Sequence, residues 1–327
     1  MAFSVFSSVC PASGQVYKYL LLFCVTFVTG TQARRFSASR SAEVSRYRHE
    51  GYPKFPLDVQ PLPLPSRSFF PCGLKVSPRI VGGSVSAYGD HPWMITIGVY
   101  DPSRKDFSHQ CGGALITSTH ILTAAHCITE FTKGLVRITA GDHSLSTVDE
   151  GEQIFAVEDW QIHPNFTRIP DGRFSDDLAV VKILPKSGEG FQMSRFVVPV
   201  CLPSESFTYT DKHTCRVSGW GFTDPSDDNS KSDLLLDAEI PILQEQKCKD
   251  INKNDFSPGM ICAGYLEGRI DACNGDSGGP LVCEIDGKHT LIGIVSWGIK
   301  CARPNSPGIY TSTQYYLDWI LAVIDQL

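Results

Sequence analysis

No two cysteines of this 327-residue chain stand three positions apart, although it has twelve of them. The commonest zinc-gripping spacing is therefore missing. No uncharged apolar stretch here reads as a bilayer-crossing helix of roughly 20 residues; the run Tyr19–Val28, behind Lys18, is too short. Residues 80–327 lack any basic excess, with 19 Lys and Arg against 32 Asp and Glu. That balance excludes nucleic acid as a partner, because phosphate backbones are bound by clustered cations. Residues 34–71 hold no cysteine, which excludes a disulfide-knotted module there. No internal repeat organises the chain.

What the chain does contain falls into three parts. Tyr19–Val28 followed by Thr31-Gln32-Ala33 reads as a signal peptide over residues 1–33, with small residues at the cleavage site. A membrane anchor is disfavoured further by Arg34 and Arg35 directly after the run. Residues 34–79 carry nine basic and three acidic residues, with Pro53, Pro56, Pro61, Pro63 and Pro65 favouring an extended, solvated spacer. Residues 80–327 have the pattern of an all-β domain. Trp93–Val99, Val136–Thr139, Leu178–Ile183 and Thr290–Trp297 read as strands, and Asp286-Gly287 between apolar runs reads as a hairpin turn. Apolar residues at helical spacing in 314–326 predict a closing helix. Cys10 and Cys24 belong to the leader, and the ten cysteines from Cys72 to Cys301 form an even set. Behind a secretory start, such a set reads as disulfides, with the pairing left open.

The chemistry centres on Asp271-Ala272-Cys273-Asn274-Gly275-Asp276-Ser277-Gly278-Gly279-Pro280. A serine hydroxyl is a weak nucleophile until a base and an orienting acid assist it. Thr123-Ala124-Ala125-His126-Cys127 offers the base, and Asp176-Asp177-Leu178-Ala179-Val180-Val181 offers the acid. Together with Arg79-Ile80-Val81-Gly82-Gly83, these segments resemble the chymotrypsin/trypsin family of serine proteases, from about Cys72 to the C-terminus.

The resemblance implies two six-stranded antiparallel β-barrels with the active site between them and a C-terminal α-helix. It assigns His126, Asp177 and Ser277 as catalytic, and the backbone N–H groups of Gly275 and Ser277 as the oxyanion hole. Alignment with the Asp-Leu-Ala-Val-Val strand selects Asp177 over Asp176, leaving Asp176 a solvated or capping neighbour. Asp271 is placed at the base of a specificity pocket walled by Gly298 and Gly308, which fits a substrate Arg or Lys. Ala272, where many relatives carry a hydroxyl, implies Arg before Lys. Ser296-Trp297-Gly298 matches the edge that pairs with an extended substrate. Arg79-Ile80 is the implied activation cut, after which the Ile80 amine pairs with Asp276. The implied disulfides are Cys72–Cys201, Cys111–Cys127, Cys215–Cys283, Cys248–Cys262 and Cys273–Cys301. The first would keep the 34–79 segment attached to the 80–327 protease domain after the cut.

Asn165-Phe166-Thr167 is a glycosylation sequon, and the loop between His163 and Asp177 looks slightly long. Asp142, Asp149 and Glu152 resemble an acid-rich calcium loop; no other cofactor is expected. The expectation is a secreted, zymogen-derived endopeptidase of a regulated or cascade type. Its partners would be protein substrates, an activating trypsin-like protease and protein inhibitors, with no nucleic acid and no membrane. The alternatives are a catalytically silent protease-like binding protein or a digestive trypsin.

Overall fold

The computed structural model describes residues 71–74 and 84–327, except residues 171, 211–212, 225, 228–229, 269 and 300 and the side chain of Asn254. The signal-peptide run and the Arg79–Ile80 bond lie outside the described residues. In chain order the first part supplies β1 (Ser84–Val85), β2 (Met94–Asp101), β3 (Asp106–Leu115), β4 (His120–Thr123), β5 (Val136–Ala140) and β6 (Gln153–Ile162). A short hairpin, β7 (Thr167–Ile169) and β8 (Arg173–Ser175), precedes β9 (Ala179–Ile183). The second part supplies β10 (Thr214–Gly219), β11 (Leu236–Pro241), β12 (Met260–Ala263), β13 (Pro280–Ile285), β14 (Lys288–Trp297) and β15 (Gly308–Ser312). Two α-helices complete it, α1 (Glu245–Asn252) and α2 (Leu317–Gln326). Among the described residues, no helix is long and apolar enough to cross a membrane.

The first six-stranded unit is a closed barrel in the order β2-β3-β4-β9-β6-β5. Alternation builds it: in β6, Phe155 and Val157 turn inward while Ile154, Ala156 and Glu158 face out. Ile95, Ile97, Leu115, Ile121, Ile138 and Val181 share the interior face at 0 % exposure, and Leu122 and Val180 are equally buried on the other face. Each such side chain contributes ~1.5–3 kcal/mol by leaving water. The second unit is an antiparallel sheet in the order β1-β11-β10-β13-β14-β15-β12. It holds the six expected strands plus the two-residue β1 added at one edge. It curls until its far ends meet at the bridge Ile242↔Ala263.

Turn chemistry fixes the β13–β14 hairpin. Ile285 pairs with Lys288, so Asp286 and Gly287 are the two turn residues. Both have positive φ, 49° and 75°, as the primed turn that suits a right-twisted hairpin requires. The structure joins Cys72–Cys201, Cys111–Cys127, Cys215–Cys283, Cys248–Cys262 and Cys273–Cys301.

A Cβ on Gly287 would meet nothing within 4 Å, so its requirement is conformational alone. Gly287→Ala is expected to cost about 1 kcal/mol in urea unfolding, and Gly287→Asn less, because Asn tolerates the left-handed region.

Candidate active site

Three segments distant in sequence meet where the barrel faces the curled sheet. Asp176 has φ 51°, and the Leu178 amide donates to the Asp176 carbonyl at 2.9 Å. This tight turn, just before β9, turns the Asp177 carboxylate inward to 1 % exposure. Oδ1 accepts from the His126 amide at 2.9 Å, and Oδ2 lies 2.7 Å from His126 Nδ1. Nδ1 bonded to a carboxylate carries the proton, so Nε2 is the free acceptor. The second sheet completes the cage. Ser296 Oγ donates to Oδ2 at 2.6 Å, and Thr311 Oγ1 donates to the Asp177 carbonyl at 2.9 Å.

His126 sits in a single 3₁₀ turn, Ala125–Cys127, directly after β4. The Cys111–Cys127 bond ties that turn to β3. Nε2 lies 3.7 Å from Cys127 Sγ, and the ring stacks flat on Phe174, 4.5 Å between centroids and 5° between planes. Ser277 and His126 line one cavity of about 160 Å³. Among the described residues no hydrogen bond joins them; such bonds commonly close only with substrate bound.

The loop before Ser277 is aimed by its carbonyls. The Phe222 amide donates to the Asn274 carbonyl at 2.9 Å. In a trans peptide the N–H points opposite the C=O, so Gly275 N–H faces away from Phe222. His109 Nε2 lies 2.9 Å from the Gly275 carbonyl and fixes the next peptide plane. Burial pushes His109 down to about 4, so its ring is neutral and donates there. Gly275 has φ 99°, a conformation that suits glycine. Among the described residues, the N–H groups of Gly275 and Ser277 donate to no protein acceptor. Two such donors beside a nucleophile can hold a developing oxyanion.

Asp271, Gly298 and Gly308 line the same cavity. Asp271 Oδ2 accepts from the Ala302 amide at 3.3 Å, while Oδ1 is sealed from solvent and has no hydrogen-bond partner among the described residues. Burial pushes this carboxyl up to about 7, partly offset by the amides of Ala302, Ala272 and Gly308. A Cβ on Gly298 would meet nothing within 4 Å, whereas one on Gly308 would lie 2.8 Å from Asp271 Oδ1. Glycine at both positions keeps the slot open down to its floor.

Behind the slot, Asp276 accepts from the amides of Gly221 and Cys273, each at 2.8 Å. It borders a second cavity of about 320 Å³, shared with Gly219, Gly221 and Asp271. Burial pushes Asp276 up to about 6, opposed by its amide bonds and by Lys231.

Several side chains act here that the sequence reading did not assign. Ser296 was read only as part of a substrate-pairing edge, and Thr311, His109 and Phe174 carried no local signal. Asp176 is more than a solvated neighbour: it accepts from Tyr316 OH at 2.9 Å and from Ser175 Oγ at 2.7 Å. The long loop is the β7–β8 hairpin, clipped to the second unit by an Arg173–Asp255 ion pair and by Trp297 Nε1 on the Phe174 carbonyl. Asn165 is exposed just before it, its carbonyl bonded by Thr167 Oγ1 at 3.0 Å.

The acid-rich loop satisfies part of its charge internally. Asp149 Oδ2 already accepts from the amides of His143 and Ser144, at 2.7 and 2.9 Å. Asp142 Oδ2 accepts from Thr96 Oγ1 at 2.9 Å. The ligand oxygens of Asp142, Asp149 and Glu152 do not all lie within 4.8 Å of one another. Among the described residues the one convergent metal-type cluster is Cys111, His126 and Cys127, whose sulfurs are bonded to each other.

A buried carboxylate, a histidine oriented by it, a serine in the same cavity and a pair of unused amides define the site of a serine hydrolase. The family profile described as Trypsin matches residues 80–320, and the chain belongs to this family of serine proteases. It is 36 % identical over 246 residues to a hepatocyte growth factor activator serine protease of Mus musculus, covering 74 % of this chain and 36 % of that protein. It is 36 % identical over 252 residues to coagulation factor XI of Bos taurus, covering 76 % and 38 %. It is 37 % identical over 249 residues to urokinase-type plasminogen activator of Gallus gallus, covering 74 % and 56 %. The chain thus spans about a third to a half of the length of these curated relatives.

Two outcomes are expected. A carboxyl raised from 3.8 to about 7 by burial carries no penalty below pH ~4 and its full penalty above pH ~7. Asp271→Asn in the unprocessed chain should therefore raise Tm at pH 8, by up to ~10 °C at about 1.4 kcal/mol per pKa unit, and the gain should vanish by pH 4. Calcium or a chelator should leave the Tm unchanged in differential scanning calorimetry, because the loop is closed by its own amides.

Proposed function

We propose that the chain is a secreted trypsin-like endopeptidase, made as a zymogen and cleaving after Arg, then Lys. The observation that carries this reading is the sealed, partnerless Oδ1 of Asp271 at the floor of the catalytic cavity. A lone buried carboxylate is costly until a cation meets it. A substrate guanidinium supplies that cation and leaves its own backbone beside Ser277. A neutral side chain would leave the acid unpaired, which is the strongest form of rejection.

In the reaction, Ser277 Oγ attacks the scissile carbonyl carbon and its proton passes to His126 Nε2. The oxygen of the tetrahedral intermediate takes the negative charge and is held by the amides of Gly275 and Ser277. Asp177 stabilises the imidazolium through Nδ1. The C–N bond then breaks, the leaving amine takes the proton, and an acyl-enzyme remains. Water, deprotonated by His126, releases the acid and restores the serine. One oxyanion donor is typically worth on the order of 3 kcal/mol of barrier.

The zymogen reading assigns residues 1–33 to a signal peptide, 34–79 to a basic light chain and 80–327 to the protease. Cleavage after Arg79 would create an Ile80 ammonium, for which the cavity beside Asp276 offers a buried anion. An activator of the same specificity would make the cut, because the bond follows an arginine. Tethering of the light chain by Cys72–Cys201 supports a regulated or cascade enzyme over a digestive one. The printed names of the relatives, an activator of a growth factor, a coagulation factor and a plasminogen activator, support the same reading. Protein inhibitors would be its other partners, Asn165 would carry a glycan, and the hairpin stacked on His126 would restrict substrates.

A fluorophosphonate probe should label Ser277 after cleavage at Arg79 and leave the Arg79→Gln protein unlabelled. Full labelling of Arg79→Gln would refute the zymogen scheme. No labelling after the cut would favour the silent binding protein. On matched peptides, kcat/KM should be higher for Arg than for Lys, since Ala272 offers no hydroxyl to an ammonium; equal values would overturn that preference.

A further inference from the structure

We propose that the apolar groove beside Cys72 seats this chain's own segment 66–70, with Phe69 and Phe70 filling it. The groove encloses about 330 Å³, within the roughly 300–1,000 Å³ of clefts that bury small ligands. Its wall includes Leu202, Leu321 and Ile324, apolar side chains that remain only partly buried. The occupant is argued from where the chain enters. Cys72 is itself part of the groove wall and is bonded to Cys201. The next residue is pinned on both sides: the Gly73 amide donates to the Pro199 carbonyl at 2.8 Å, and the His289 amide donates to the Gly73 carbonyl at 3.0 Å. The segment preceding Cys72 is thus delivered to the groove mouth. Phe70 and Phe69 lie two and three residues upstream, within ~7 to 10 Å of extended chain.

The sequence of that segment matches what the groove lacks. Ser66-Arg67-Ser68-Phe69-Phe70-Pro71 places two adjacent aromatics next to a proline. Pro65 and Pro71 restrict the backbone around them, which lowers the ordering cost of docking. The tether removes most of the remaining association cost, because binding is intramolecular. The groove shares no residue with the cavity of His126 and Ser277, so docking fastens the leader without touching the chemistry.

The test uses the full, uncut chain. Four proteins are compared: wild type, Phe69→Ser with Phe70→Ser, Ile324→Arg, and all three changes together. Each altered protein should lose about 5 °C of Tm, and the combination should lose no more than the worse of its parts, because both disrupt one contact. Chymotrypsin should nick after Phe69 or Phe70 at least tenfold faster in Ile324→Arg than in wild type, as read by mass spectrometry. If Ile324→Arg fails to fold, the wild-type comparison remains. Those two bonds should be cut at least tenfold more slowly in the native chain than in the reduced, unfolded one. Additive losses of Tm, or equal nicking rates, would overturn the proposal. So would sedimentation of wild type as a dimer that Ile324→Arg dissolves, since a second copy would then be the occupant.

Discussion

A carboxylate almost out of reach of water, held by groups from both halves of the molecule, is the interaction on which the site depends. Burying an ionised acid costs several kcal/mol unless hydrogen bonds replace its hydration. Asp177 obtains two of them from His126 and one from Ser296, and Thr311 takes the carbonyl of the same residue. His126 follows a strand of the closed barrel, whereas Ser296 and Thr311 lie on strands of the curled sheet. The bonds that orient the histidine therefore also fix how the two β-units face each other, and the cleft between them follows from that register.

Two further acids, Asp271 and Asp276, belong to the second unit and share the wall behind the cleft. Both are raised by burial, and the Asp276 charge adds to the cost at Asp271. Among the described residues neither is compensated by a side-chain cation at bonding distance, in contrast with Arg216, which pairs with both Asp237 and Glu239. The fold thus leaves electrostatic cost at two neighbouring points and neutralises the buried Asp237 by pairing it with Arg216. Such placement is the usual mark of positions built to receive a positive group.

Much of this was legible in the sequence because it is written locally. The strand runs, the Asp286-Gly287 turn, the closing helix and the segments around His126, Asp177 and Ser277 each announce themselves within about ten residues. What was not legible is contact across long separations. Ser296 reaches Asp177 over 119 positions and His109 reaches Gly275 over 166, and neither has a neighbouring residue that betrays the bond. Phe174 is an ordinary aromatic in the sequence, yet it lies flat on the His126 ring. Asp142, Asp149 and Glu152 show how local bonds use the same acids. Acid residues close in sequence suggest an ion, but backbone amides take up Asp149 first, because they belong to the same turn and cost little entropy to engage.

The bond between Cys72 and Cys201 lies on a wall that has no residue in common with the cleft. Whatever is joined upstream of Cys72 is therefore bonded to the protease body at a fixed one-to-one ratio, at a point apart from the cleft. A junction of that kind makes the upstream portion exchangeable: addressing modules can be swapped over evolution without redesigning the cutting machinery.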